Sequence, residues 1–121
     1  MLIRSIREKA MFGKERFEAV TLARTTKSDT KVVALEPGQA IPVHHPGSDL
    51  TMVIIEGEAT LVSGSEELAH AGPGAVLHSD AGQARGIRAD KRTIALVVAS
   101  PPPTQEDHRE LAEHFAKGTW R

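Results

Sequence analysis

Five polar residues carry the side chains most able to do chemistry in this chain: His44, His45, Asp49, His78 and Arg85. An imidazole titrates near neutral pH, so it can act as a general acid or base, and it can join a carboxylate in holding a first-row metal ion. A guanidinium is permanently cationic and grips a carboxylate or phosphate through paired hydrogen bonds. These residue types leave metal chemistry, acid–base chemistry and anion binding open.

Composition excludes several other chemistries. The 121 residues include no Cys, which removes disulfides, thiolate nucleophiles, Cys-ligated zinc and iron–sulfur clusters. The net charge of -1 argues against nucleic acid or an anionic membrane as the main partner. The charged N-terminus has no apolar signal-peptide core, and no apolar run is long enough to span a membrane. We therefore expect a cytoplasmic protein.

The elements that must position these residues are mostly short strands. The chain divides into a lead-in (1–16), a barrel (17–100) and a proline linker with a helix (101–121), which together make one domain. Gly and Pro clusters punctuate segments rich in Val, Ile, Leu and Thr, a pattern typical of an antiparallel sandwich or barrel. The expected strands are Phe17–Arg24, Lys31–Glu36, Ile41–His45, Thr51–Glu56, Ala59–Ser63, Ala75–His78, Gln83–Arg88 and Thr93–Ala99.

Two helices are expected outside the barrel. Ser5 and Glu8 match a capping box, which predicts a short helix over residues 6–12. After three consecutive prolines, apolar residues at helical spacing predict a helix over residues 105–116, packed on the outside of the sheet. Gly118 is a natural stop for that helix.

Two segments carry a family resemblance. Gly38–Gly57 has the sequence GQAIPVHHPGSDLTMVIIEG, and Gly74–Ala89 has the sequence GAVLHSDAGQARGIRA. Their glycine spacing, with His44 in the first segment and Gly82 in the second, resembles the paired motifs of the cupin superfamily. The resemblance covers residues 30–99. It implies an all-β fold, an antiparallel double-stranded β-helix (a jelly-roll barrel), here with a C-terminal α-helix.

The same resemblance implies that the family's usual metal site is lost. In that family two His, a carboxylate and a third His hold a divalent metal. The corresponding positions here are His44, Pro46, Leu50 and Arg85, and Ala89 replaces the Asn of the second motif. Pro and Leu have no donor atom, and a cationic Arg cannot share a site with a metal cation. Metal chemistry of the family's usual kind is therefore not expected.

The leading hypothesis is a protein that binds a small anionic or polar metabolite inside the barrel. Arg85 and His44 would contact the ligand, in a pocket that Leu50, His78 and His45 also line. A structural role for Arg85, such as pairing with Asp49 or Asp80, stays open beside it. The direction in which His78 points also stays open.

Two other functions remain open at this point. A shifted register would place His45, Asp49 and His78 as ligands of a divalent metal, which predicts a dioxygenase or isomerase. A metal-free enzyme could instead use His44 as its general acid or base. The third possibility is a structural or regulatory module whose barrel is filled by apolar side chains.

The remaining candidate residues favour ordinary surface roles. His70, His108 and His114 are interpreted as surface residues, the first in a loop and the other two on the C-terminal helix. Glu66 and Glu67 are interpreted as a solvated hairpin turn. The family resemblance also implies a homodimer, formed through a sheet edge or the N-terminal strand.

Overall fold

The computed structural model describes residues 1–121 and contains nine strands, two 3-10 turns and one α-helix. The strands are β1 (Glu18–Arg24), β2 (Asp29–Leu35), β3 (Ala40–His44), β4 (Asp49–Glu56), β5 (Ala59–Ser63), β6 (Glu66–Ala71), β7 (Val76–Ser79), β8 (Arg85–Ala89) and β9 (Thr93–Ser100). The 3-10 turns span Ile6–Lys9 and Glu106–His108, and α1 spans Arg109–Lys117.

Two antiparallel sheets face each other across the core. One sheet has five strands in the order β1-β2-β9-β4-β7, and the other has four in the order β3-β8-β5-β6. Inward-facing apolar side chains from both sheets form a single cluster that includes Leu35, Ile54 and Ile87. The expected all-β barrel with a C-terminal helix is confirmed.

All eight expected strands are present, with ends that differ by at most two residues. The ninth strand, Glu66–Ala71, was not expected, and the interpretation of Glu66 and Glu67 as a turn is wrong. His70 likewise lies on this strand rather than in a loop. The sequence EELAHA has low β-propensity, and five of its six residues are exposed, so backbone pairing with β5 creates a strand that local preference does not predict.

The N-terminal helix is shorter than the capping-box pattern predicts. Only a 3-10 turn forms at Ile6–Lys9, and the Ser5 side chain makes no capping hydrogen bond. No residue of the turn is buried. A helix of one or two turns with no apolar face against the protein has too little stabilisation to extend further.

The C-terminal helix forms where it was expected, after a 3-10 turn that replaces its first residues. Thr104 and Asp107 bond reciprocally: the Asp107 carboxylate accepts from the Thr104 N–H at 2.8 Å, and Thr104 Oγ1 accepts from the Asp107 N–H at 3.4 Å. Gly118 ends α1 with a φ of 70°. None of these helical segments has the length and apolar character needed to cross a membrane.

Candidate ligand-binding cavity

Strand alternation decides which side chains of the five-stranded sheet point into the barrel. In β2, Asp29, Lys31 and Val33 lie two residues apart and share the inner face, and all three line one cavity. Asp29 is the cross-strand partner of Ala99, which in turn pairs with Leu50. Asp29, Ala99 and Leu50 therefore lie side by side in one row across the sheet, in which Asp29 is the charged member.

A row of the four-stranded sheet lies at the same level. Arg85 pairs with His44 on one side and with Ser63 on the other. The Ser63 and Ser79 hydroxyls are 2.6 Å apart, and this hydrogen bond joins the two sheets at that level. We call the joined rows the upper ring. Its members are Asp29, Ala99, Leu50, Ser79, Ser63, Arg85 and His44.

Five members of the upper ring line one end of a cavity of about 110 Å³: Asp29, Ala99, Leu50, Arg85 and His44. The walls are mainly apolar, with Met52, Leu77 and Val97 below the ring. The C-terminal segment covers this end, because Pro103 and Leu111 also line the cavity. The helix therefore closes the barrel rather than lying only against the outside of a sheet.

Arg85 is the most unusual residue of the cavity. Its side chain is buried, with only 3% of the residue exposed, and it forms no ion pair. Nη1 donates to the Ser48 carbonyl at 2.6 Å, and Nε is buried without a partner. Burial lowers the pKa of Arg85 to about 10, so it stays cationic at neutral pH. The aspartate pairing that the sequence left open, with Asp49 or Asp80, is not present.

His44 is oriented by a backbone bond. Because a carbonyl oxygen can only accept, the contact of 2.8 Å between His44 Nδ1 and the Pro42 oxygen places a proton on Nδ1. In the neutral ring, Nε2 is then an acceptor, and it becomes a second donor when the ring is protonated. Burial lowers the pKa of His44, and the nearby Arg85 charge acts in the same direction.

Asp29, Lys31 and His108 complete the polar groups of the cavity. The sequence patterns did not indicate Asp29 or Lys31, and His108, interpreted as a surface residue on the C-terminal helix, lies in the 3-10 turn before α1. Asp29 is 1% exposed, and neither carboxylate oxygen accepts a hydrogen bond. Lys31 Nζ is 3.4 Å from Oδ2 and Arg24 Nη1 is 3.9 Å away, so the carboxylate has ion-pair partners at longer range only. The sequence carried no signal for Asp29, because the strand expected here began at Lys31 and left Asp29 outside it.

Two of the other sequence candidates lie outside the cavity. His45 is exposed, and its Nδ1 is 3.0 Å from the Glu110 carboxylate on α1. His78 is exposed, with Nε2 3.0 Å from Asp80 and Nδ1 3.1 Å from the Thr51 hydroxyl. His78 therefore points away from the barrel interior, a direction that the sequence did not decide.

Asp49 is also turned away from the cavity. It is exposed, and its Oδ1 accepts from the Ala81 N–H at 2.9 Å. His45, Asp49 and His78 do not form one of the groups whose ligand atoms lie within 4.8 Å of one another. Leu50, by contrast, lines the cavity.

The donor set inside the barrel does not suit a metal ion. At the positions that correspond to the family's ligands, His44 offers the only donor atom, since Pro46 and Leu50 have none and Arg85 is cationic. Glu58, His70 and Asp90 do form a compact group, with ligand atoms within 4.8 Å of one another. That group is on the surface rather than in the barrel, and the sequence indicated only an ordinary surface role for its histidine.

Comparison with known proteins agrees with the fold. The structure is similar to that of TT1209 from Thermus thermophilus, with 32% identity, a TM-score of 0.76, and coverage of 84% of this chain and 98% of that one. An RmlC-like cupin from Desulfovibrio desulfuricans has 27% identity and a TM-score of 0.74, over 84% of this chain and 98% of that one. A double-stranded β-helix protein from Klebsiella pneumoniae has 26% identity and a TM-score of 0.73, over 82% and 89%. No family model and no curated protein matches the sequence.

These similarities, the two facing sheets and the motif glycines agree on one family. The chain belongs to the cupin superfamily. Its barrel keeps the architecture of that family, and the positions that the motif resemblance assigns to metal ligands hold His44, Pro46, Leu50 and Arg85.

Proposed function

We propose that this cupin binds a small organic anion, a monocarboxylate, inside its barrel. The observation that carries the proposal is Arg85, a buried guanidinium with no anionic partner, which lies beside His44 in a mostly apolar cavity. A buried charge without a counterion is costly, so an anion that enters the cavity gains a strong partner there.

The charges around the cavity favour an anion with one negative charge. Lys31 lies against Asp29, so these two formal charges cancel. Among the residues that line the cavity, Arg85 then carries the one charge without an ion-pair partner, while Asp107 and Asp49 act on it from farther away. A monocarboxylate brings the formal charge of the cavity to zero, while a phosphate dianion would leave it negative.

The size of the cavity limits the ligand to a few heavy atoms. Its volume of about 110 Å³ is below that of a drug-binding pocket, which is roughly 300 Å³ or more, and nearer to the roughly 150 Å³ of a cavity that holds benzene. The carboxylate would lie at Arg85 and His44. A short carbon chain would extend towards Met52 and Leu77, where the walls are apolar.

The test is a thermal-shift series with acetate, propionate, butyrate and benzoate in a buffer free of carboxylate and phosphate. We expect a concentration-dependent rise in melting temperature for at least one of these acids. The rise should vanish in Arg85→Met and persist in Arg88→Met, a control on the same strand whose side chain is exposed.

Arg85→Lys provides a second variant if Arg85→Met folds poorly. It keeps the charge and loses the two-pronged geometry, so we expect a weakened but measurable shift. An equal shift in wild type and in Arg85→Met would contradict the proposal, as would the absence of a shift with every acid in the series.

We also propose that two chains form a homodimer through the N-terminal region. β1 is an edge strand of the five-stranded sheet, and an unpaired edge is a ready site for strand pairing. Met1 and Leu2 next to it are 78% and 101% exposed. Sedimentation should give a dimer at micromolar concentration, and a monomer under those conditions would exclude this assembly.

A further inference from the structure

We infer that the bound monocarboxylate also carries a hydroxyl group, which donates a hydrogen bond to Asp29. The inference rests on the proposed anion site at Arg85 and names the class of ligand that would fill it. It would make Asp29 the residue that distinguishes a hydroxy acid from a plain carboxylic acid.

The state of Asp29 motivates this assignment. Its carboxylate is almost fully buried, lines the cavity, and accepts no hydrogen bond at either oxygen. Buried polar groups are nearly always hydrogen-bonded, and a buried carboxylate left without a donor is a costly exception. Lys31 approaches to 3.4 Å but does not donate a hydrogen bond.

The position of Asp29 suits a ligand held at Arg85. Both residues belong to the upper ring, Asp29 on the five-stranded sheet and Arg85 on the four-stranded sheet facing it. A molecule between the sheets at this level meets a cation on one side and an acceptor on the other. Because Asp29 and Arg85 line the same cavity, one molecule inside it can lie between them.

Charge decides between a hydroxyl and an ammonium group as the donor. Among the lining residues, Lys31 balances Asp29, and Arg85 leaves a formal charge of +1. Arg24, Asp49 and Asp107 act from outside the lining. A hydroxy acid brings one negative charge and leaves the site neutral. An amino acid is a zwitterion with no net charge, so it would leave the Arg85 charge uncompensated.

The test compares the affinities of butyrate, 3-hydroxybutyrate, 4-hydroxybutyrate and 4-aminobutyrate by titration calorimetry. The four acids share a carboxylate and a four-carbon chain, so their differences isolate the donor. In an apolar cavity without a partner, an added hydroxyl weakens binding. We expect the opposite sign: at least one hydroxy acid should bind about tenfold more tightly than butyrate, because the acceptor is charged.

Variants of Asp29 connect that preference to its carboxylate. The measured quantity is the ratio of the hydroxy-acid and butyrate affinities, which cancels the change in overall cavity charge. Asp29→Asn should reduce the ratio, and Asp29→Leu, which has no acceptor, should bring it below one. Asp90→Asn is the matched control: Asp90 is exposed, follows β8 at the end away from Arg85 and does not line the cavity, so the ratio should stay unchanged.

The outcomes separate the two proposals. Butyrate binding as tightly as both hydroxy acids, or 4-aminobutyrate binding best, would overturn the assignment of a hydroxyl to Asp29 and leave the anion site standing. A preference for a hydroxy acid that survives in Asp29→Leu would overturn it as well. Failure of all four acids to bind would instead contradict the proposed anion site itself.

Discussion

His44 and Arg85 are direct cross-strand partners on β3 and β8, and both side chains are buried. Two groups that can both be cationic therefore lie side by side in an apolar cavity. Each opposes the charging of the other, and the Arg85 charge contributes to the lowered pKa of His44. An anion between them would relieve this repulsion, so the pair connects stability, pH and ligand binding.

The pH dependence of stability should show the buried His44. Its pKa is lowered in the folded chain, while the unfolded value is about 6.5. Between these two values the unfolded state binds more protons, so stability falls as the pH decreases through that window and is unaffected above it. Urea unfolding measured from pH 7.5 to pH 5 should show this loss, and His44→Gln should reduce it. An identical pH profile in that variant would exclude His44 as the source.

Replacing Arg85 should stabilise the ligand-free protein. Arg85→Met fills the same space without a buried charge, and we expect the free energy of unfolding to rise by about 1 kcal/mol, net of the lost bond to the Ser48 carbonyl. Arg88→Met on the exposed face should change it by less than about 0.5 kcal/mol. Urea unfolding in a buffer without carboxylates measures both. A loss of stability in Arg85→Met would instead identify Arg85 as a structural residue.

The glycines at the two ends of the first motif, Gly38 and Gly57, should differ in how well they tolerate a side chain. Gly57 and Gly38 have φ values of 96° and 85°, so an alanine is strained at either position. A Cβ at Gly57 would also lie 2.1 Å from the Arg92 carbonyl oxygen, while a Cβ at Gly38 meets no atom within 4 Å. Gly38→Ala should cost about 1 kcal/mol and Gly57→Ala about 3 kcal/mol or more. Equal losses of stability in the two variants, measured by thermal unfolding, would show that the clash at Gly57 is relieved and would contradict this prediction.

Asp107 should hold the C-terminal segment over the cavity. Its carboxylate accepts from the Gly47 N–H at 3.0 Å as well as from Thr104. These bonds lower the pKa of Asp107, so their contribution is present above the unfolded value of about 3.8 and is lost as the pH falls through the lowered folded value. Asp107→Ala should cost about 1 kcal/mol and speed hydrogen exchange at Gly47. Glu106→Ala, which changes an exposed neighbour, should leave that amide protected.

Much of the fold could be predicted because its signals are local. Short apolar segments between Gly and Pro clusters located eight of the nine strands, and the motif spacing placed His44 at an inward position. β6 was missed because its residues have low β-propensity and few of them are buried. Its existence depends on pairing with β5, which is a tertiary effect.

The candidate site could be predicted only in part for a similar reason. His44, Leu50 and Arg85 line the cavity, as the motif positions indicated. Asp29 lies outside both motifs, and its burial depends on the register of β2 against β9, which no local pattern reveals. The position of His45 could not be predicted either, because its partner Glu110 lies on the C-terminal helix.

The most direct test of the anion site follows the Arg85 side chain itself. Its Nε–H is buried without a partner, so it should give a protected, resolvable signal in a ¹H–¹⁵N spectrum. During titration with butyrate or 3-hydroxybutyrate, we expect this signal to shift and saturate together with the His44 ring nitrogens, while the exposed Arg88 Nε–H stays in place. An Arg85 signal that does not move when the added acid has raised the melting temperature would contradict the central claim, because the anion would then bind elsewhere.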